Sequence, residues 1–133
     1  SLQQIDSKFV LQTHSTNPLL KKNTILEAIK VFYAYYPDND SLFSVTNTQG
    51  RYWNHESKPI NHNLGELIRT QDLESMYFEN SSIYIFNRIK FLKIKNRIGI
   101  NPKMFEMSKI ESFDIDDMDD FFIAESLQKN LKN

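Results

Sequence analysis

A chain of 133 residues that is 40% hydrophobic, with ten Phe and six Tyr, can bury the core of one domain; such a composition excludes a disordered polymer. Its formal net charge of −1 gives no electrostatic case for nucleic acid or an anionic membrane. It contains no Cys, which removes disulfide frameworks, Cys-ligated zinc and thiol catalysis and suits a cytoplasmic protein.

No apolar run approaches the roughly 18 residues of a membrane span, and no signal-peptide pattern is read at the start. The chain passes almost directly from Ser1 into a strand-like run and reads as a fragment or a trimmed chain. Lys8 to Gln12 is that run, short and apolar between polar flanks. Residues 13–18 form a polar turn, and Asn23 is placed to cap a helix. There Ile25, Ala28, Ile29, Phe32 and Tyr33 recur at helical spacing until Pro37. Ser41 to Thr46 is the next strand; strand, helix, strand in this order predicts a right-handed crossover and a mainly parallel sheet.

The middle is less regular. Residues 47–50 read as a turn, and Arg51 to Trp53 as the return strand of a hairpin. Residues 54–79 keep no sustained period, and an irregular excursion of that length is usually functional or engaged with a partner. Tyr52, Trp53, Ile60, Leu64, Leu67, Ile68 and Tyr77 are too much apolar surface for a solvated loop. The segment 47–79 therefore reads as an arm that buries this surface against a second copy of the chain. Ile83 to Phe86 is a strand. Residues 88–96 are a helix with Ile89 and Leu92 inward and Lys90, Lys93 and Lys95 on a solvated face, and a further strand lies within 100–107. His14, His55 and His62 are too scattered to act as ligands and read as loop residues.

The stretch that carries chemistry is Ser112-Phe113-Asp114-Ile115-Asp116, followed by Asp117, Asp119 and Asp120. It reads as a short strand running into a helix. Alternation puts Phe113 and Ile115 on one face and the carboxylates of Asp114 and Asp116 on the other, about 6.5 Å apart along the strand. Like charges at that spacing call for a proton or a cation, and a hard divalent ion shared with substrate phosphates would satisfy them. The alternative is pure helix capping by Asp116, Asp117, Asp119 and Asp120. A calcium loop fits poorly, because Met118 and Asp119 occupy the positions that need an oxygen ligand and a Gly.

Four stretches in this order resemble the acylneuraminate cytidylyltransferases, the synthetases of CMP-sialic acid and other CMP-nonulosonic acids. They are Val10 to Leu19, with Gln12 at a strand end before a Thr-Asn-Pro-Leu turn; Asp40 to Thr46; Arg69 to Leu73 with Glu79 to Ile85; and Ser112 to Asp116 with its acidic helix. The resemblance runs over nearly the whole chain but covers only the C-terminal three-fifths or so of the family's domain. It implies an α/β, three-layer αβα fold of the nucleotide-diphospho-sugar transferase type, with a mainly parallel, mixed sheet truncated at its N-terminus. It implies transfer of CMP from CTP to a nine-carbon keto acid sugar with release of pyrophosphate, Mg²⁺ as cofactor, and a homodimer.

By the same resemblance Asp114 and Asp116 are the catalytic and metal-binding carboxylates. Gln12, Thr16, Asn17, Asn80 and Tyr84 are substrate-binding, and Arg69 meets the sugar carboxylate, across the dimer interface if the arm reaches its partner. Gln12 and Asn80 could equally satisfy backbone groups at strand ends, Tyr84 could be an ordinary sheet aromatic, and Arg69 a surface charge. The sequence also departs from the family. Gly50, Gly65 and Gly99 are isolated, so the Gly-rich loop that cradles CTP phosphates is absent; Leu20 stands where an Arg often follows Pro-Leu; and Asn80-Ser81-Ser82 replaces Asn-Gly-Ala. Two alternatives follow: a synthetase for an eight-carbon keto acid sugar, or a non-catalytic dimerising sugar-binding fragment.

Overall fold

The computed structural model describes residues 8–132. Four strands and three helices follow one another as β1 (Phe9–Thr13), α1 (Lys22–Tyr35), β2 (Ser41–Thr48), β3 (Met76–Asn87), α2 (Arg88–Ile94), β4 (Pro102–Met107) and α3 (Met118–Lys132). The strands form one sheet in the order β1-β3-β2-β4. β2 and β4 are parallel, with Ser41 opposite Pro102 and Thr46 opposite Met107. β1 and β3 are antiparallel, with Gln12 opposite Tyr84. The sheet is mixed, and the strands joined by the α1 crossover are held apart by β3.

Alternation along β3 explains how one strand serves two layers. Ile83 and Ile85 join Ala28 and Phe32 of α1, Leu42 and Met107 in the buried cluster. Phe9 closes this side, its ring edge-on to Phe32 at 5.1 Å and to Tyr36 at 5.0 Å. Phe86 points the other way and meets Phe91 of α2 at 5.2 Å between ring centroids. Helices α1 and α2 therefore cover opposite faces.

Several local expectations are corrected. Asn23 lies inside α1, and one backbone donor at that helix start, Lys21 N, is met from far along the chain. Glu111 Oε1 accepts from Lys21 N at 3.1 Å and from Thr24 Oγ1 at 2.5 Å. In α2 the exposed side chain is Ile89 and the inward one is Phe91, because a helix of seven residues offers too few positions to establish a period. The predicted hairpin is also absent. Trp53 makes an isolated bridge with Pro59, while Arg51 turns to Ile68 O and Thr70 Oγ1.

Residues 47–78 form a unit of their own. It holds together through side chains bonded to backbone: Gln49 Nε2 donates to Leu73 O at 2.5 Å, and Asn61 Nδ2 to Gly50 O at 2.7 Å. Its one helical turn is a 3-10 turn at Thr70–Asp72.

The loop after α2 is fixed by a buried carboxylate. Asp40 accepts from Ile100 N at 2.9 Å and Asn101 N at 3.2 Å, and Gly99 N donates to Ser41 Oγ at 2.9 Å. A Cβ on Gly99 would lie 2.4 Å from Asp40 Oδ2, an oxygen that its hydrogen bonds do not allow to retreat. Gly99→Ala is expected to cost about 1–3 kcal/mol in urea denaturation, as overpacking does. Gly65→Ala, with nothing within 4 Å, should stay within about 0.5 kcal/mol. Equal stability of the two variants would show that the Asp40 clamp yields freely.

Candidate active site

The acidic stretch is the first component. Residues 113–116 form no strand, contrary to the expectation, because the segment has too little backbone pairing to make a ladder. Ser112 N and Phe113 N turn back to Ser108 O and Ile110 O, and Ile115 N alone reaches sideways, to Thr16 O at 3.0 Å. What holds the segment is a set of long-range ties. The buried amide of Asn17 donates to Ser112 O and Phe113 O, each at 3.3 Å. Thr46 Oγ1 meets Ser112 Oγ at 3.0 Å, and Glu111 is anchored on the start of α1.

The aspartates then divide by what their oxygens do. Asp117 Oδ1 accepts from Asp120 N at 2.8 Å, and Asp120 Oδ2 accepts from Asp116 N at 3.0 Å, a reciprocal cap at the start of α3. Asp119 lies in the first turn, where its charge suits the helix dipole. Asp114 and Asp116 are the pair whose carboxylates the cap does not use. Asp114 Oδ1 is buried and accepts no hydrogen bond among the described residues. The charge of Asp114 is the main reason the Asp116 carboxyl is held above the usual carboxylate range, with desolvation and Asp120 adding to it.

An orphaned buried carboxylate oxygen on Asp114, beside the like-charged Asp116, is a donor set suited to a hard divalent cation. Among the described residues no group of three or more His, Cys, Asp or Glu side chains could hold a metal ion. Substrate oxygens would have to complete the coordination shell, as is usual for Mg²⁺.

The second component lies where β1, β2 and β3 meet. Asn80 is buried, and its amide is committed to the sheet. Oδ1 accepts from Ser44 Oγ at 2.5 Å and Ser82 N at 3.1 Å, and Nδ2 donates to Thr46 Oγ1 at 3.0 Å. Thr46 also meets Ser112, so Asn80 is joined to the acidic segment through two hydroxyls. Ser81 takes φ 61°, in the left-handed region that favours Gly. Its hydroxyl consequently reaches Tyr84, whose phenol donates to Glu79 Oε2 and accepts from Ser81 Oγ at 3.1 Å. Burial, then the Glu79 bond, holds the Tyr84 phenol above its ordinary range.

Above the Tyr84 ring lies Arg97, with its guanidinium carbon 4.0 Å from the centroid. Its Nη1 is 3.4 Å from Gln12 Oε1 and 3.5 Å from His14 Nε2. Beside Gln12 and Arg97 a cavity of about 420 Å³ opens against Val10, Leu11, Phe86 and Phe91.

The structure thus places Gln12, Tyr84, Asn80, Asp114 and Asp116 within one unit, the first three on β1 and β3 and the aspartates on the segment before α3. Thr16 and Asn17 belong there too, but their recorded contacts hold the acidic segment rather than open toward a ligand. Arg69 belongs to the separate 47–78 unit, exposed and bonded through Nε to Asp72 at 2.9 Å. Sequence reasoning missed Arg97, Glu79 and Glu111, and it set His14 aside. Arg97 follows the last periodic residue of α2; the only local signal was the nearby Gly99.

The family model for cytidylyltransferases matches residues 1–132. The chain belongs to this family. It is 29% identical over 129 residues to the Post-translational flagellin modification protein B of Campylobacter coli, covering 92% of this chain and 54% of that protein. It is 30% identical over 120 residues to an N-acylneuraminate cytidylyltransferase of Streptococcus agalactiae serotype III, covering 87% of this chain and 29% of that protein. The chain thus spans about half the length of one curated relative and under a third of the other. In fold it is similar to the 4-diphosphocytidyl-2C-methyl-D-erythritolsynthase of Anaerococcus prevotii, with a TM-score of 0.59 at 11% identity over 96% of this chain and 63% of that one. Among the described residues no helix of this cytidylyltransferase chain is long and apolar enough to cross a membrane.

Because the Asp116 pKa is raised in the folded state, the protonated form favours folding. That contribution is complete below the ordinary Asp range and is lost as pH rises through the raised value. Asp116→Asn should therefore melt above the wild type at neutral pH, and the difference should close in acid. A variant that melts below the wild type at neutral pH would contradict a repelling pair.

Proposed function

We propose that this chain carries the sugar- and metal-binding part of a cytidylyltransferase that transfers CMP from CTP to an N-acylneuraminate-type acid. The observation that carries the reading is the Asp114–Asp116 pair, with its orphaned buried oxygen, tied through Ser112 and Thr46 to the strand that bears Asn80 and Tyr84. In the reaction the sugar's anomeric hydroxyl oxygen bonds to the α-phosphorus of CTP. The bond from that phosphorus to the bridging oxygen of the pyrophosphate breaks, and the hydroxyl proton passes to solvent.

Asp114 and Asp116 would hold Mg²⁺. When bound, that ion offsets charge building on the α-phosphate and the leaving pyrophosphate. The chain's own part is orientation. Asn17 and the Asp117–Asp120 cap fix where the two carboxylates point, while Gln12 presents an amide to the sugar and the buried Tyr84, its phenol bonded to Glu79, supports Arg97 on its ring.

The test is pyrophosphate release, with CTP, N-acetylneuraminate and Mg²⁺, by the full-length enzyme of which this chain is proposed to carry that part. Asp114→Asn and Asp116→Asn are each expected to abolish release, whereas Asp119→Asn leaves it intact. Release that needs no sugar acid, or that survives both substitutions, would overturn the assignment.

The same reading includes a homodimer. Leu67 is 99% and Leu64 74% exposed in the 47–78 unit, a surface suited to a second copy of the chain. Sedimentation at micromolar concentration should show a dimer that Trp53→Ala with Leu67→Ala dissociates; a monomeric wild type rules it out.

A further inference from the structure

We propose that Arg97, stacked on Tyr84 and fixed by the Asp40 loop, is the residue that holds the carboxylate of the sugar acid. The inference rests on the sugar-acid reading above and names the group that recognises the acid.

Arg97 is half-buried and forms none of the ion pairs among the described residues. Its polar partners are an amide oxygen and an imidazole nitrogen, at 3.4 and 3.5 Å, and both approach Nη1. The Nε and Nη2 donors make no hydrogen bond among the described residues. Glu79 makes no ion pair with it among the described residues; that carboxylate accepts from the Tyr84 hydroxyl. The ring beneath is an uncharged phenol, kept so by burial. A guanidinium on an aromatic face is held in one plane and presents its fork edge-on, the geometry a carboxylate accepts bidentately. The adjoining cavity, walled by Val10, Leu11, Phe86 and Phe91, lowers the local dielectric and strengthens such a pair.

The position is imposed from both sides. Lys95 takes the left-handed region at φ 57°, ending α2. Asn96 Oδ1 accepts from Ile98 N at 3.0 Å, and the next three amides are bound by Ser41 and Asp40. Asp40 and Gly99 are thus positioning residues for Arg97. The competing candidate, Arg69, already spends its Nε on Asp72 and is exposed, so its charge is screened by solvent.

The experiment compares calorimetric affinities for N-acetylneuraminate and for its methyl ester, which keeps the sugar and loses the charge. The wild type is expected to prefer the acid about tenfold or more, the scale of a charge-assisted bond. Arg97→Met should bind the acid as weakly as the ester. Lys93→Met, which removes an exposed cation from α2, should keep the wild-type preference. An Arg97→Met protein that still prefers the acid, or that loses acid and ester by the same factor, overturns the inference alone. So does loss of the preference in Arg69→Met with its retention in Arg97→Met. A wild type that binds neither sugar overturns the sugar-acid reading, and this inference with it.

Discussion

The candidate site depends on one buried amide. Asn17 lies at the turn that follows β1, and its two hydrogen bonds to Ser112 O and Phe113 O join segments 95 and 96 residues apart in sequence. Without that tie the acidic stretch has one lateral backbone bond, Ile115 N to Thr16 O, which is too little to fix two mutually repelling carboxylates. A hydrogen bond of this kind contributes about 1 kcal/mol net, but a buried amide left unpaired costs more, so the turn and the acidic segment stabilise each other. Glu111 adds a second constraint by serving as the missing cap of α1.

The sheet supplies the rest through hydroxyls. Ser44 and Thr46 are buried on β2 and both bind Asn80, and Thr46 passes the connection on to Ser112. A chain of short polar side chains with satisfied bonds is rigid. It sets the acidic pair relative to the β3 kink at Ser81, which aims a hydroxyl at Tyr84. The geometry of the candidate site is in this way set by strand side chains and one kink, while α1 and α2 cover the two faces of the sheet.

Much of this was legible in the residues, for identifiable reasons. α1 announces itself by its period, β1 and the apolar half of β3 by short apolar runs, and the acidic pair by two like charges placed on one face. The failures are also physical. Phe113-Asp114-Ile115-Asp116 alternates like a strand, but alternation describes a side-chain pattern and cannot supply a neighbouring strand to pair with. Asn80 is an amide whose partners are chosen by the fold, so the sequence left open whether it faces ligand or backbone; Asn17, read as substrate-binding, spends its amide on Ser112 O and Phe113 O. Arg97 matters through a ring and a loop brought to it from β3 and β2, and nothing adjacent in sequence reports that. Glu111 caps a helix 90 residues earlier in the chain, beyond any local signature.

The central claim is that the turn after β1 forces Asp114 and Asp116 together. Carboxyl carbon chemical shifts of Asp116, followed through a pH titration in the wild type and in Asn17→Ala, measure this directly. The account predicts an Asp116 titration above the usual carboxylate range in the wild type and a return toward that range in the folded variant. Identical titrations in the two proteins, with the variant folded, would contradict it.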